Sequence, residues 1–170
     1  MRKILLISDT HSYLDPRINK HIDDCDEVWH AGDIGNIELT DGIKTKKPLI
    51  AVYGNIDDNI ARAEFKRDEI FMCEDVKVFI THIGGYPPNY TSVLLQRIKE
   101  IKPQLFICGH SHILKVMYDE KLSCLHMNPG AIGTHGFHKV QTALKFEVEK
   151  GKIQNLQIIE LTRLSDSPQM

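Results

Sequence analysis

The sequence predicts an α/β protein with two sheets in a single domain spanning residues 1–162. Through the first part of the chain, short apolar runs alternate with segments of helical periodicity. Beyond residue 110 the pattern changes to strand pairs separated by turns. No linker, repeat or low-complexity segment separates the two parts. A chain of 170 residues is long enough to bury roughly two thirds of its unfolded-state surface around one core.

The first strand is expected at "ILLIS" (4–8), followed by "VWHA" (28–31), "LIAVY" (49–53), "VKVFI" (76–80) and "QLFIC" (104–108). Continuous apolar runs of this length suit strands buried on both faces. Between them, "DPRINKHIDDCDE", "NIELTDGIKTKK" and "NYTSVLLQRIKEIKP" carry apolar residues at helical spacing, such as Val93, Leu94, Ile98 and Ile101, with Pro103 as a stop signal. Strand alternating with helix implies parallel crossovers. "ILKVMYDEKLSCLHM" then reads as a hairpin around Asp119-Glu120-Lys121, and "TALKFEVEKGKIQNLQIIEL" as another around Lys150-Gly151-Lys152. The polar tail "TRLSDSPQM" marks a frayed end, with residues 163–170 outside the domain.

Composition narrows the function. A net charge of −2 with no block of like charge gives no basic stripe for an extended nucleic-acid surface and no footprint for an anionic membrane. The opening "MRKILLISDTH" has an apolar run too short for a signal peptide or a membrane span. Cys25, Cys73, Cys108 and Cys124 form no C-x-x-C and read as buried reduced thiols of a cytoplasmic protein.

Every one of the five apolar runs ends on the same kind of chemistry. They lead to Asp9-Thr10-His11, Gly32-Asp33, Gly54-Asn55, Thr81-His82 and Gly109-His110-Ser111-His112. Carboxyl ends of parallel strands form one edge, where ligands bind, so these residues converge on one cleft. Asp9, His11, Asp33, Asn55, His82, His110 and His112 combine carboxylates, an amide and imidazoles without a thiolate. That donor set suits Mn, Fe, Ni, Zn or Co better than Mg or Ca. It is too large for one tetrahedral ion and fits two ions sharing a bridging carboxylate. Two dications, two aspartates and a bridging hydroxide leave a surplus of positive charge to hold a phosphate oxygen.

In order and spacing, "DTH", "GD", "GNID", "TH" and "GHSH" resemble the signature of the calcineurin-like metallophosphoesterases, and "NPGA" (128–131) resembles the small bacterial and archaeal phosphodiesterases among them. The resemblance implies a four-layer αββα sandwich of two mixed sheets. It implies that Asp9, His11 and His112 hold one metal, that Asn55, His82 and His110 hold the other, and that Asp33 bridges both. It implies a phosphoesterase, most simply a phosphodiesterase, in which a metal-bridging hydroxide attacks a small phosphoester substrate, with manganese the foremost metal. The same family includes a non-catalytic trafficking scaffold that has lost part of the ligand set. All the ligand types survive here, which favours the enzyme. A homo-oligomer stays open.

One position departs from the family pattern. The residue after Asn55 is Ile56, where many members carry a His that protonates the leaving group. Asp57, His135 and His138 are the remaining candidates for that proton, with Asp57 more simply structural. His30 lies inside a strand and reads as structural, His21 as solvated and Cys108 as packing. The role of His126 stays open. Asn128 reads as a turn residue that can also orient a ligand. Substrate specificity is expected in loops 12–17, 56–68, 84–90 and 132–140.

Overall fold

The continuous apolar runs are strands sandwiched on both faces, as the computed structural model, described over residues 1–163, makes plain. In the first sheet, β1 (Arg2–Ile7), β2 (Glu27–His30) and β3 (Leu49–Ala51) run parallel. β9 (Val140–Glu149) and β10 (Lys152–Thr162) extend it in antiparallel pairing, in the order β10-β9-β1-β2-β3. The second sheet has the order β4-β5-β6-β8-β7. Its β5 (Val76–Thr81), β6 (Leu105–Ile107) and β8 (Cys124–Pro129) are parallel, with β4 (Asp68–Cys73) and β7 (Leu114–Asp119) as antiparallel edges.

Alternation along each strand sorts the apolar residues into layers. Ile4, Leu6, Val78, Ile80, Leu105 and Ile107 meet between the sheets, around the fully buried Trp29. Leu5, Ile7 and Val28 point outward, onto Ile18, Ile22 and Ile43 of a 3-10 turn (Pro16–Ile18), α1 (Asn19–Asp23) and α2 (Ile37–Lys44). On the opposite outer face, Phe79 and Phe106 pack against Leu94 and Ile98 of α4 (Ser92–Ile101). Each fully buried Leu, Ile or Phe contributes roughly 2 kcal/mol relative to exposure. The result is the helix–sheet–sheet–helix sandwich that the resemblance implies.

Helix α4 starts and stops as its sequence dictates. Thr91 accepts from the Leu94 N–H at its start, and Lys102 turns left-handed at φ 51° just before Pro103. The sheets, however, do not divide at the change of pattern near residue 110. The β7–β8 hairpin joins the second sheet, whereas β9–β10 returns to the first beside β1. Two further elements lie where the sequence suggested only loop. One is α3 (Asn59–Glu64), a short helix capped by Asp58, which accepts from the N–H groups of Ile60 and Ala61. The other is β4, an edge strand that begins with two acidic residues and leaves Ile70 and Met72 exposed.

The tail expectation falls mostly on residues 164–170, which lie outside the described residues. Arg163 is described. Its guanidinium donates to the carbonyls of Gly136 (3.0 Å) and His138 (2.9 Å), and also to that of Thr134, fastening the loop after β8 to the end of β10.

Candidate metal centre

The chain reverses sharply at the carboxyl ends of β1, β2 and β6. Asp9, His11, Asp33, His110 and His112 all sit in the left-handed region, with φ between 45° and 70°. Such a residue costs on the order of 1–3 kcal/mol and persists where the surroundings enforce it. Here it turns side chains from different strands into one space. Two glycines make the crowding feasible. A Cβ on Gly54 would lie 2.1 Å from Asp33 Oδ1, and one on Gly109 would lie 2.1 Å from Ser8 Oγ.

The residues fall into two groups, each able to hold one cation. Asp9, His11 and His112 form the first, and Asp33, His82 and His110 the second. Asn55 belongs with the second, its Oδ1 lying 3.1 Å from His82 Nε2 and 2.9 Å from His110 Nδ1. Asp33 faces both ways, with Oδ1 3.2 Å from His82 Nε2 and Oδ2 3.6 Å from His11 Nε2. All seven residues that the sequence placed in the cleft are therefore together, and the paired histidines His110 and His112 serve different groups.

The hydrogen bonding is what a cation needs. Asp9 Oδ2 accepts from Ser8 Oγ (2.6 Å) and from the His110 N–H (3.1 Å). Asp9 Oδ1 is buried without a donor and lies 3.3 Å from His112 Nε2. His11 Nε2 is likewise buried and unpartnered. His82 donates from Nδ1 to the Ala31 carbonyl (2.7 Å), which aims the Nε2 lone pair at two acceptors, Asn55 Oδ1 and Asp33 Oδ1. Converging acceptors repel one another unless a positive charge lies between them.

Protons can supply part of that charge, and the histidines respond. Burial lowers the pKa of His82, but the Asp33 carboxylate beside it and the charge of Asp9 outweigh that and hold the group above its ordinary value. The Asp9 carboxylate, 3.3 Å away, raises His112. At His11, burial prevails and lowers the pKa despite Asp33 and Asp9.

The other titratable candidates separate cleanly. Asp57, a proton-donor candidate from its sequence position, is buried. Its Oδ2 accepts from the N–H groups of Ile34 (3.1 Å) and Gly54 (2.7 Å), and its Oδ1 from that of Gly35 (2.8 Å). It ties the loops after β2 and β3 together and presents no proton to the cleft. His138 is fastened through its Nε2–H to the Gly133 carbonyl (2.9 Å) and lies edge-on to His112. His135 is exposed and stacks on His11 with ring centroids 4.6 Å apart, so loop 133–138 does overhang the first group. Asn128 donates to the Gly109 carbonyl (2.9 Å) and Ser111 Oγ (3.1 Å), holding the loop that carries His110 and His112. Ser8, which steers Asp9, carried no signal in the sequence beyond its neighbours.

His30 and His126 lie outside the two groups and share a property. Burial lowers each pKa to about 4. His30 accepts the Gly32 N–H at Nδ1 and donates from Nε2 to Thr10 Oγ1. His126 is 1% exposed, and neither ring nitrogen has a partner among the described residues. The unfolded chain takes up a proton at each near pH 6.5, whereas the folded chain does so only near 4. Stability is therefore full above 6.5 and falls as pH drops through that window. His126→Leu should stabilise the chelated protein by about 2 kcal/mol more at pH 5 than at pH 7.5. Urea unfolding at the two pH values measures this, and an equal effect at both would refute it.

The family model for the calcineurin-like phosphoesterase superfamily domain matches residues 2–151. The chain belongs to that superfamily. A probable metallophosphoesterase of Methanocaldococcus jannaschii is 29% identical over 132 residues, covering 74% of this chain and 66% of that protein. Among solved structures, one described as a novel archaeal phosphodiesterase is 26% identical, with a TM-score of 0.73 over 94% of this chain and 99% of its own. The fold is also that of Vps29 of Entamoeba histolytica complexed with zinc, at 15% identity and a TM-score of 0.72, covering 94% of this chain and 98% of that one. No helix among the described residues is long and apolar enough to cross a membrane.

Proposed function

We propose that this superfamily member is a cytoplasmic phosphodiesterase dependent on two divalent transition metals, manganese foremost. The observation that carries the reading is Asp33, whose two carboxylate oxygens each face a separate histidine-containing group. Asp9, His11 and His112 would hold one cation, Asn55, His82 and His110 the other, and Asp33 both. The orphaned Asp9 Oδ1 and His11 Nε2 and the acceptors gathered around His82 fit that load. When bound, the cations supply Lewis acidity toward phosphate oxygens and acidify water for in-line attack on phosphorus.

The chain's own groups orient and restrain. Ser8 and the His110 N–H fix Asp9 so that one oxygen stays turned to the cleft. Asn128 holds the loop between His110 and His112, and loop 133–138 covers the His11 side. The aspartates, committed to cations, are not available as nucleophiles, so no phosphoenzyme forms. Ile56 is 46% exposed at the rim and offers an apolar surface in place of a cation. That favours a diester, with one negative charge and a second substituent to pack, over a monoester dianion. The resemblance to an archaeal phosphodiesterase supports the same choice.

The test is reconstitution of chelated protein with Mn, Ni, Co, Fe or Zn, followed by elemental analysis and hydrolysis of mono- and diesters sharing one leaving group. Two ions per chain and faster diester cleavage are expected. Full activity with one ion would overturn the binuclear assignment. Two bound ions without hydrolysis of any ester would favour a scaffold role.

A further inference from the structure

We infer that a pocket beside the metal centre, lined by Arg62 and Arg67, is a subsite for a second anionic group carried by one ester arm of the substrate. The inference rests on the phosphodiesterase reading. The pocket has a volume of about 120 Å³ and is lined also by Tyr53, Asn55, His82 and Ile83. Asn55 and His82 belong to the second metal group, so the pocket opens directly beside the place where the scissile phosphate would sit.

Arg62 is held in place without being neutralised. Its Nε donates to the Asp57 carbonyl (2.7 Å), an Nη donates to the Asn55 carbonyl (3.3 Å), and the guanidinium lies over the Tyr53 ring at 5.1 Å. Its partners are thus neutral groups of the very loop that carries Asn55. Arg67 forms no hydrogen bond or ion pair among the described residues. It follows Lys66, whose carbonyl receives the Tyr53 N–H, so its backbone is tied to the end of β3.

The carboxylates close by in sequence are all engaged elsewhere. Asp57 and Asp58 accept from backbone amides, Glu64 pairs with Lys44, Asp68 with Arg97 and Glu69 with Lys66. A lone exposed arginine is ordinarily just solvated. Two arginines lining one pocket with no carboxylate among its lining residues concentrate positive charge there, and an oxyanion would balance it. The planar donor fork of arginine matches the oxygens of a carboxylate or a phosphate, and the pocket has room for one such group. The preferred substrate is then a phosphodiester in which one ester group bears a carboxylate or phosphate a few bonds from phosphorus.

The experiment compares p-nitrophenyl alkyl phosphates with p-nitrophenyl ω-carboxyalkyl and ω-phosphonoalkyl phosphates of equal chain length, on manganese-loaded wild type, Arg67→Gln and Arg62→Gln. In wild type, one anionic series should have a KM about 10-fold below its neutral counterpart, as expected for charge-assisted hydrogen bonds. The series with the larger advantage identifies carboxylate or phosphate as the natural group. The ratio should fall toward one in Arg67→Gln. Calorimetric binding of ω-carboxyalkylphosphonates against alkylphosphonates gives the same ratio without turnover. A wild-type ratio near one by both measurements, or a ratio that survives both substitutions, would overturn the subsite. A binding ratio that depends on Arg67 in a protein that hydrolyses none of these esters would leave the subsite standing and refute the phosphodiesterase reading instead.

Discussion

Asp33→Asn should reduce metal content from two ions per chain to one or none and lower diesterase turnover by more than about 100-fold. Loss of a group that merely supports a metal ligand already costs 10- to 100-fold, and Asp33 sits between both groups. Its Oδ1 lies 3.2 Å from His82 Nε2 and its Oδ2 3.6 Å from His11 Nε2, so one substitution would remove a charge from both proposed cation sites. The structural cost should be small. Asparagine keeps the shape that packs against Gly54, and its Oδ1 can still accept the Ile56 N–H, now received by the aspartate at 3.1 Å. Unfolding of the chelated variant should therefore match that of the chelated wild type. His110→Ala and His112→Ala provide the contrast, because they belong to different groups and should empty different sites. A variant Asp33→Asn that retains two ions and full turnover would remove the bridging role. Loss of the same ion in both histidine variants would remove the split between His110 and His112.

Much of this site was legible because its elements are local. A strand buried on both faces writes itself as a continuous apolar run, and the polar residue that ends the run marks the sheet edge. Asp9, Asp33, Asn55, His82 and the His110–His112 pair could therefore be assembled without knowing which strands are neighbours. Sheet membership is a non-local property, and the sequence pattern carries little of it. Nothing in "TALKFEVE" states that it pairs with β1 rather than with the hairpin before it. Likewise, β4 opens with Asp68 and Glu69, which are poor strand formers, and gains its place from antiparallel pairing with β5. Asp57 read as structural beside its candidacy as a proton donor, but what it holds was not legible, because its amide partners Ile34 and Gly35 come from another loop. Arg67 drew no notice because its distinction is the lack of any partner among the described residues, which only the folded arrangement of its neighbours reveals.

Leaving-group dependence is the other large effect, and the structure narrows its cause. Wild-type enzyme should cleave aryl esters far faster than alkyl esters, with a steep dependence of rate on leaving-group pKa. General acid catalysis is typically worth about 10²- to 10⁴-fold, and position 56 offers none. Ile56 is half-exposed and its backbone N–H donates to the Asp33 carboxylate, so the backbone at this position borders the candidate metal centre. Asp57 is committed to three backbone amides, and His138 is tied to the Gly133 carbonyl. His135 is the one candidate left from the sequence. It is exposed and stacks on His11, a member of the first group, whereas Asn55 belongs with the second. The expectation is that a leaving group departing on the Ile56 side does not draw its proton from His135. Ile56→His should then flatten the dependence, chiefly by accelerating the alkyl esters, whereas His135→Ala should leave the slope unchanged. A wild-type slope that is already shallow and steepens in His135→Ala would place the proton on His135 and the leaving group under loop 133–138. A slope indifferent to Ile56→His would mean that position 56 does not face the departing oxygen, and the diester preference argued from its apolar surface would then lose its basis.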